Sequence, residues 1–418
     1  MLAKIRAIYH YLWALGGALY YRFPAHQLTV IGVTGTKGKT TTVELLNAIL
    51  ESPKTKTAIA STLRFKIGEK SEQNLLKMTM PGRAFLQRFL RQAVTAGCRY
   101  AIIEMTSEGA RQFRNRFIDL DVLIFTNLAP EHIESHGSYE KYLEAKLSIA
   151  RELTHSRKLN PTLIVNGDDR VADRFLALSV KNKIIYRRRD ASPYTTTELG
   201  TNFTWRGKRI HTRLPGLFNL MNVLAAITCV DHFGVSRTNI RRAVEGFNNV
   251  RGRMERVEAQ DINQKWPSFS VIVDYAHTPD SLREVYQTFP DRPKIGVLGG
   301  TGGGRDVWKR PVMGTIASEH CRLIILTNED PYDESPEAIA NDLVRGIKRT
   351  PYKIIMDRRL AIRTALREAR DGEVVVVTGK GTDPFIMGAR GRRQPWDDMT
   401  VVREELMKLQ ANEAINDA

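Results

Sequence analysis

A chain of 418 residues, 42% hydrophobic and 26% charged, is too long for one ordinary core and has the make-up of a globular protein of two or three domains. The formal net charge of +17 calls for polyanionic partners. The basic residues are scattered, though, and no zinc-finger spacing or RNP-like aromatic motif accompanies them, so the expectation is phosphorylated substrates and no nucleic acid. Cys98, Cys229 and Cys321 stand far apart with no CxxC pair, the usage of reduced thiols in a reducing compartment.

In chain order, the first segment is MLAKIRAIYHYLWALGGALYYRF, residues 1–23, which holds no Asp or Glu and has Lys4, Arg6 and Arg22 around an aromatic-rich stretch. A helix is expected over residues 1–27. Its apolar run, Tyr11 to Tyr21, falls short of the ~20 residues that span a bilayer, and no small-residue cleavage site follows. Two readings stand: a helix packed on the body, or an interfacial helix giving weak association with an anionic membrane surface. From residue 28, short β-branched runs (LTVIGVTG, YAIIEM, VLIFTN, TLIVNG) alternate with helical stretches (TTTVELLNAILE, GRAFLQRFLRQAVTAG). A second such series starts near residue 270, with strands SVIVDYA, KIGVLGG, RLIILTN and EVVVVTG and helices SPEAIANDLVRGI and RRLAIRTALREAR. Alternation of this kind implies parallel sheets covered on both faces. The expected architecture is α/β: a P-loop-type ATP-binding domain with a mostly parallel sheet over 28–250, then a Rossmann-like α/β domain over 251–418, joined around NNVRGRMERV.

The strongest local motif is Val33-Thr34-Gly35-Thr36-Lys37-Gly38-Lys39-Thr40-Thr41-Thr42, between an expected strand and an expected helix. Gly35 and Gly38 let the backbone curl so that its N–H groups face phosphate, Lys39 supplies a cation for the β/γ oxygens, and Thr40 offers a hydroxyl to Mg²⁺. The glycine spacing is shorter than the usual phosphate loop, because position 33 is Val. Glu104 ends the next expected strand, where an acid suits a metal in an open α/β sheet, or is an ordinary strand-end acid. His132, His136 and Lys146 follow within fifteen residues. Two histidines without a Cys or a third regular ligand do not make a zinc site, and Lys146 on its own reads as a surface lysine.

Taken together, TGTKGKTTT, EMTSEG, FTNLAPEHIESHG with its downstream Ala-Lys, GLFNLMNVLAA, GRMERV, VDYAHTPDSL, GGTGGGRDVWKRPVMG, TNEDPYDESP and GKGTDP, in this order, resemble the Mur ligases in their UDP-N-acetylmuramoyl-tripeptide synthetase branch. The folylpolyglutamate synthetases share the loop and general plan, but YAHTPD and the GGRD…KRPVMG stretch fit the Mur branch. The resemblance implies an ATP-dependent, ADP-forming ligase of peptidoglycan synthesis. Such an enzyme phosphorylates a carboxylate of a UDP-N-acetylmuramoyl-dipeptide and lets an amino acid's amine displace the phosphate, with ATP and Mg²⁺ as cofactors. It also implies a cytoplasmic enzyme, peripheral at the inner membrane face if the first helix docks there, and a monomer. Lys39, His132 and Lys146 would be catalytic, with Lys146 carbamylated. Thr40 and Glu104 would hold a first Mg²⁺, and His132 with Lys146 a second. The loop from Gly35 through Thr36, Lys37, Gly38, Lys39 and Thr40 to Thr41 would bind ATP together with Asn127, Asn222 (at the adenine), Arg253, Asp274 and His277. Thr79, Pro81 and Ser107 would meet the muramoyl-peptide, and Arg310, Asp330, Tyr332, Asp333, Gly379 and Asp383 the incoming amino acid.

Three departures from the family pattern carry expectations of their own. Only some 27 residues precede the first core strand, so the family's N-terminal UDP-binding domain is expected to be missing. The family's Ser-Ser-His is Thr106-Ser107-Glu108, with an acid in place of imidazole. Diaminopimelate-adding members carry Asp-Asn-Pro-Arg where this chain has Glu329-Asp330-Pro331-Tyr332. With no arginine at 332 and acids at 330, 333, 334 and 383, a basic side chain such as lysine is expected over diaminopimelate. A related ligase acting on cyanophycin or polyglutamate, or a silent ATP-binding scaffold, are the competing readings.

Overall fold

The computed structural model describes residues 2–51, 55–82, 84–131, 136–257 and 268–416, with the side chains of 2–4, 410 and 412–416 outside the description. The chain divides into two compact units, Met1–Asn248 and Asn249–Ala418.

The first unit opens with helix α1 (Leu2–Tyr20) and is built on a sheet of β1 (Thr29–Thr34), β2 (Thr57–Ala60), β3 (Arg64–Ile67), β4 (Lys70–Gln73), β5 (Tyr100–Glu104), β6 (Val122–Phe125), β7 (Thr162–Asn166) and β8 (Asn182–Tyr186). The strand order is β4-β3-β2-β5-β1-β6-β7-β8. β1 lies centrally, parallel to β5 and β6, with Val33 opposite Glu104 and Ile124. The β2–β3–β4 edge is antiparallel. Side chains of successive strand residues go to opposite faces, so each buried run serves two cores. Val30, Ala101, Ile103, Leu123 and Phe125 face α3 (Phe85–Thr95), α4 (Ser107–Arg111) and α5 (Tyr139–Arg151). Their neighbours Ile31, Val33, Ile102 and Ile124 share the opposite core with α2 (Lys39–Glu51). The short α6 (Ala172–Leu176) follows β7, and a small antiparallel sheet, β9 (Tyr194–Thr197), β10 (Gly200–Trp205) and β11 (Lys208–Thr212), precedes α7 (Leu217–His232) and α8 (Arg237–Gly246). Both α7 and α8 pack into the core shared with α2.

The second unit carries β12 (Glu255–Arg256), β13 (Ser270–Asp274), β14 (Lys294–Leu298), β15 (Leu323–Leu326), β16 (Tyr352–Ile354) and β17 (Val374–Thr378) in the order β12-β13-β17-β14-β15-β16, parallel except for β12. Val271, Val273, Ile295, Val297, Val375 and Val377 bury one face under α12 (Arg358–Glu368) and α13 (Asp398–Asn416). The other face receives α9 (Pro279–Gln287), whose Tyr286 approaches β14 so closely that a Cβ on Gly296 would lie 2.6 Å from its hydroxyl. α10 (Lys309–His320) and α11 (Pro336–Val344) complete that layer, and a hairpin of β18 (Phe385–Met387) and β19 (Arg393–Pro395) follows β17. All eight strand runs expected from the sequence are strands, and the four quoted helical stretches are helices. The three cysteines are free and buried. Among the described residues, no helix is long and apolar enough to cross a membrane.

Candidate active site

In the first unit, Gly35–Gly38, Met105–Ser107 and Thr126–Asn127 follow β1, β5 (which ends on Glu104) and β6, three adjacent parallel strands. Three crossovers therefore open at one carboxyl edge, where open α/β sheets hold ligands. Gly35 and Gly38 take φ of +148° and +78°, and each is also closed in sterically. A Cβ on Gly35 would collide with Thr126 Oγ1, and one on Gly38 with Asn222 Oδ1. The loop is shaped from outside as well. The Lys37 N–H donates to Asn127 Oδ1 (2.9 Å), while Asn127 Nδ2 and Thr126 Oγ1 donate to the Lys37 carbonyl (3.1 and 2.7 Å). Thr36 Oγ1 meets Tyr142 OH at 3.0 Å and accepts from the Ala129 N–H. Thr40 and Thr41 lie buried in the first turn of α2, at a helix N-terminus suited to phosphate.

The charged groups are close-set. The Thr40 hydroxyl donates to Glu104 Oε2 at 3.1 Å, and the same oxygen accepts the Thr62 N–H at 2.9 Å. Lys39 Nζ folds back onto the carbonyls of Gly35 and Thr36, at 3.0 and 2.8 Å. Lys146 is no surface lysine: it is 2% exposed, donates to the same Gly35 carbonyl at 2.7 Å and lies over the Tyr142 ring. Burial pushes its amine well below the usual lysine range. Lys39 pushes the same way, and Glu131 and Glu104 oppose without prevailing. Thr79 joins this network through Thr62, hydroxyl to hydroxyl at 2.8 Å, and Pro81 is buried on the same loop. Ser107 Oγ lies 3.2 Å from Nε2 of His136, which also stands 3.4 Å from Glu108. The imidazole that position 108 lacks is thus returned from another loop.

Asn222 packs against Gly38 of the phosphate loop and donates to Asn219 at 3.2 Å, whereas the resemblance implies a place for it at the adenine. His132 lies outside the described residues. No group of three or more His, Cys, Asp or Glu side chains that could hold a metal occurs among the described residues.

In the second unit, the stretches after β13, β14, β15 and β17 again share one carboxyl edge. Asp274 is buried and braces two turns, accepting the Met254 N–H at 2.6 Å and the Ala276 N–H at 2.7 Å. Burial raises its pKa, with the Arg253 guanidinium opposing. Arg253 lies over the Tyr275 ring at 4.2 Å, and His277 Nδ1 is 2.8 Å from the Tyr275 carbonyl. Gly379 has φ +105°, and a Cβ there would strike the Glu329 carboxylate. Lys380, between Asp330 and Asp383 at 2.8 and 2.9 Å, is fully buried. Burial alone would lower its pKa, but the two aspartates outweigh it and hold the ammonium above its ordinary value.

Two expectations about this edge need correction. Arg310 does not present its guanidinium to a substrate. It is 1% exposed, grips Glu334 through both Nη atoms (2.6 and 2.8 Å) and reaches Asp342 at 2.9 Å, so Glu334 is neutralised with it. Nor is the neighbourhood of Tyr332 without a guanidinium. Tyr332, at φ +52°, turns its ring under the exposed Arg305, 5.0 Å from the centroid, and Asp333 is engaged by the Arg390 N–H at 2.7 Å. The charge missing at 332 arrives from the loop after β14. Sequence reasoning also missed Thr62 and Tyr142 and gave no role to His136, while Lys380 lies between Gly379 and Asp383, both expected at the amino acid. Tyr142 had a signal, because it stands four residues before Lys146 and so shares its helical face.

Two family models match the chain, the Mur ligase middle domain over residues 33–230 and the Mur ligase, glutamate ligase domain over residues 252–381. The UDP-N-acetylmuramoyl-L-alanyl-D-glutamate–2,6-diaminopimelate ligase of Gloeobacter violaceus is 36% identical over 401 residues, covering 93% of this chain and 79% of that one. A solved structure of a ligase with the same name superposes with a TM-score of 0.61 at 28% identity, over 92% of this chain and 79% of that one. Mycobacterium tuberculosis folylpolyglutamate synthase shares the fold, with a TM-score of 0.70 at 16% identity over 95% and 94% of the two chains. With the two models together covering most of the sequence and a relative this similar along most of both chains, the chain belongs to the Mur ligase family.

Proposed function

We propose that this protein is an ATP-dependent, ADP-forming ligase that adds the third residue to a UDP-N-acetylmuramoyl-dipeptide in peptidoglycan synthesis. The observation that carries the reading is the convergence of Thr40, Glu104 and Lys146 on one phosphate loop. The names of the similar ligases supply the acceptor and the reaction. An acceptor carboxylate oxygen attacks the γ-phosphorus, the bond to the β–γ bridging oxygen breaks, and ADP leaves. The amino acid's amine then attacks the acyl carbon and loses a proton, and phosphate departs with the C–O electrons.

With the Thr36 and Lys37 N–H groups held by Asn127, the N–H groups from Gly38 to Thr41 cradle the phosphates, and Lys39 exchanges its two loop carbonyls for β/γ oxygens. The Thr40 hydroxyl and Glu104 carboxylate are buried hard-oxygen donors beside the loop, and this donor set fits Mg²⁺. Bound there, Mg²⁺ supplies positive charge against phosphate oxygens. Burial lowers the Lys146 pKa and so favours the neutral amine, the form that attacks CO₂ and loses a proton to become a carbamate. The product anion then sits favourably beside Lys39. His132 remains the resemblance's ligand for a second metal. Asn127 and Asn222 act by fixing Lys37 and Gly38, and Ser107 with His136 and Thr79 with Pro81 line the acceptor side. Arg253, Asp274 and His277 serve the nucleotide, and Asp330, Tyr332, Asp333, Gly379 and Asp383 frame the amino acid. With Arg305 stacked on Tyr332 to meet a distal carboxylate, meso-diaminopimelate replaces lysine as the third residue. ATP and a nucleotide-linked acceptor place the work in the cytoplasm. Phosphate release from ATP that depends on both UDP-N-acetylmuramoyl-dipeptide and diaminopimelate tests the reading; release driven equally by polyglutamate acceptors would contradict it.

A further inference from the structure

Helix α1 is apolar on two opposite faces. Its inner face is seated: Ala14 and Ala18 are buried, Tyr11 meets Phe113 and Phe117 edge-on, and a Cβ on Gly17 would lie 2.9 Å from that of Ala84. Its outer face has no cover among the described residues of the unit. Ile5, Ile8, Tyr9, Leu12, Trp13, Leu19 and Tyr20 are between 43% and 80% exposed. At 3.6 residues per turn they fall in one arc about 140° wide. No charged residue lies inside that arc. The exposed Arg6 borders it, one turn from Tyr9 and two from Trp13, and Tyr9 and Trp13 touch edge to face at 6.3 Å.

We propose that this outer face of α1 docks the protein on the surface of an anionic bilayer. Charge decides the occupant. The sequence has no acidic residue before Glu44, while Arg6 and Arg22 are exposed near the two ends of the helix. A lipid headgroup layer supplies the missing negative charge, whereas a second copy would set one acid-free basic segment against another. Tyr9, Trp13 and Tyr20 suit the interface, with ring in the acyl boundary and polar tip in the headgroups. The helix lies on the membrane, since no described helix is fit to cross one. The loop that carries Thr79 and Pro81 leads into Ala84, on which α1 sits, and exposes Leu75, Leu76 and Met78. Docking therefore holds the acceptor-side loop near the lipid surface.

The test is sedimentation of the full-length protein with phosphatidylglycerol-containing vesicles and with phosphatidylcholine vesicles, at low and high salt, alongside Leu12→Glu/Trp13→Glu and Arg6→Glu. These side chains are exposed, so melting curves should match the wild type. The expected result is preferential, salt-sensitive binding to the anionic vesicles, falling at least about tenfold in Leu12→Glu/Trp13→Glu and less in Arg6→Glu. Wild-type protein that stays in the supernatant, or variants that bind as well as wild type, would overturn the proposal. So would a dimer in light scattering that the double variant dissolves, because the face would then belong to a second copy.

Discussion

Lys39 and Lys146 address the same oxygen, the carbonyl of Gly35, at 3.0 and 2.7 Å. Lys146 is enclosed there, and burial, with Lys39 beside it, lowers its pKa well below the usual lysine range. Lys39→Ala should leave the melting temperature near wild type and lower kcat by at least about a hundredfold, measured as phosphate release by the folded variant. Lys146 should carry the carbamate, seen by carbon-13 NMR after labelled bicarbonate. Lys146→Ala should lose activity and recover part of it with short carboxylic acids, and an unmodified ammonium in the ATP-bound protein would count against that role. At the amino acid, Arg305→Ala should cost diaminopimelate about ten- to a hundredfold in kcat/KM, or ~1–3 kcal/mol, while turnover with lysine, which has no distal carboxylate, changes little. Equal losses for both would remove Arg305 from recognition. At this scale the sequence is legible where chemistry is local. Gly35, Gly38, Lys39 and Thr40 point to a phosphate loop by residue type and by their place between a strand and a helix, although the glycine spacing is shorter than usual. The burial of Lys146, the pairing of Arg310 with Glu334 and the arrival of Arg305 at Tyr332 depend on residues brought together by the fold, which no spacing encodes.

At the scale of elements, the long buried strands were readable because both of their faces are covered, so β1, β5, β6, β7 and β13, β14, β15, β17 appear as continuous apolar runs. The edge strands β3 and β4 and the small sheet β9–β11 are short and put Lys, Arg, Glu and Thr on an outer face, which hides them among loops. Helices α12 and α13 are joined by a device that periodicity does not reveal. Arg358 and Asp398, 2% and 0% exposed, pair through two bonds of 2.8 and 2.7 Å, and Trp396 Nε1 adds a third to Asp398 at 2.7 Å. Asp398→Ala would leave a buried guanidinium without its partner and should destabilise the second unit by about 3–5 kcal/mol, read from denaturant unfolding. A change within experimental error would mean that water replaces the carboxylate. Farther along α13, Arg363, Arg359 and Lys408 overcome the effect of burial and hold the Glu405 carboxyl down at about 2. A depressed acid of this kind stabilises above its unfolded pKa and loses that contribution as pH falls towards 2. The wild type should therefore weaken steadily on acidification below about pH 4.5, and Glu405→Gln should be less stable at neutral pH with a flatter acid limb in thermal melts.

Across the whole molecule, the surplus of positive charge has two uses in this account: phosphate-bearing substrates at the carboxyl edges of the sheets, and anionic lipid at α1. The first of these is the more basic: the γ-phosphoryl group passes to a muramoyl-peptide carboxylate, and free phosphate appears only when an amine then displaces it. The measurement that bears on it most directly is phosphate release by the purified full-length chain, with product mass determined in parallel. UDP-N-acetylmuramoyl-dipeptide and diaminopimelate would be supplied singly and together. The expected result is release only with both, one phosphate per UDP-N-acetylmuramoyl-tripeptide formed. Release without either substrate, or none with both present at saturating ATP and Mg²⁺, would contradict it.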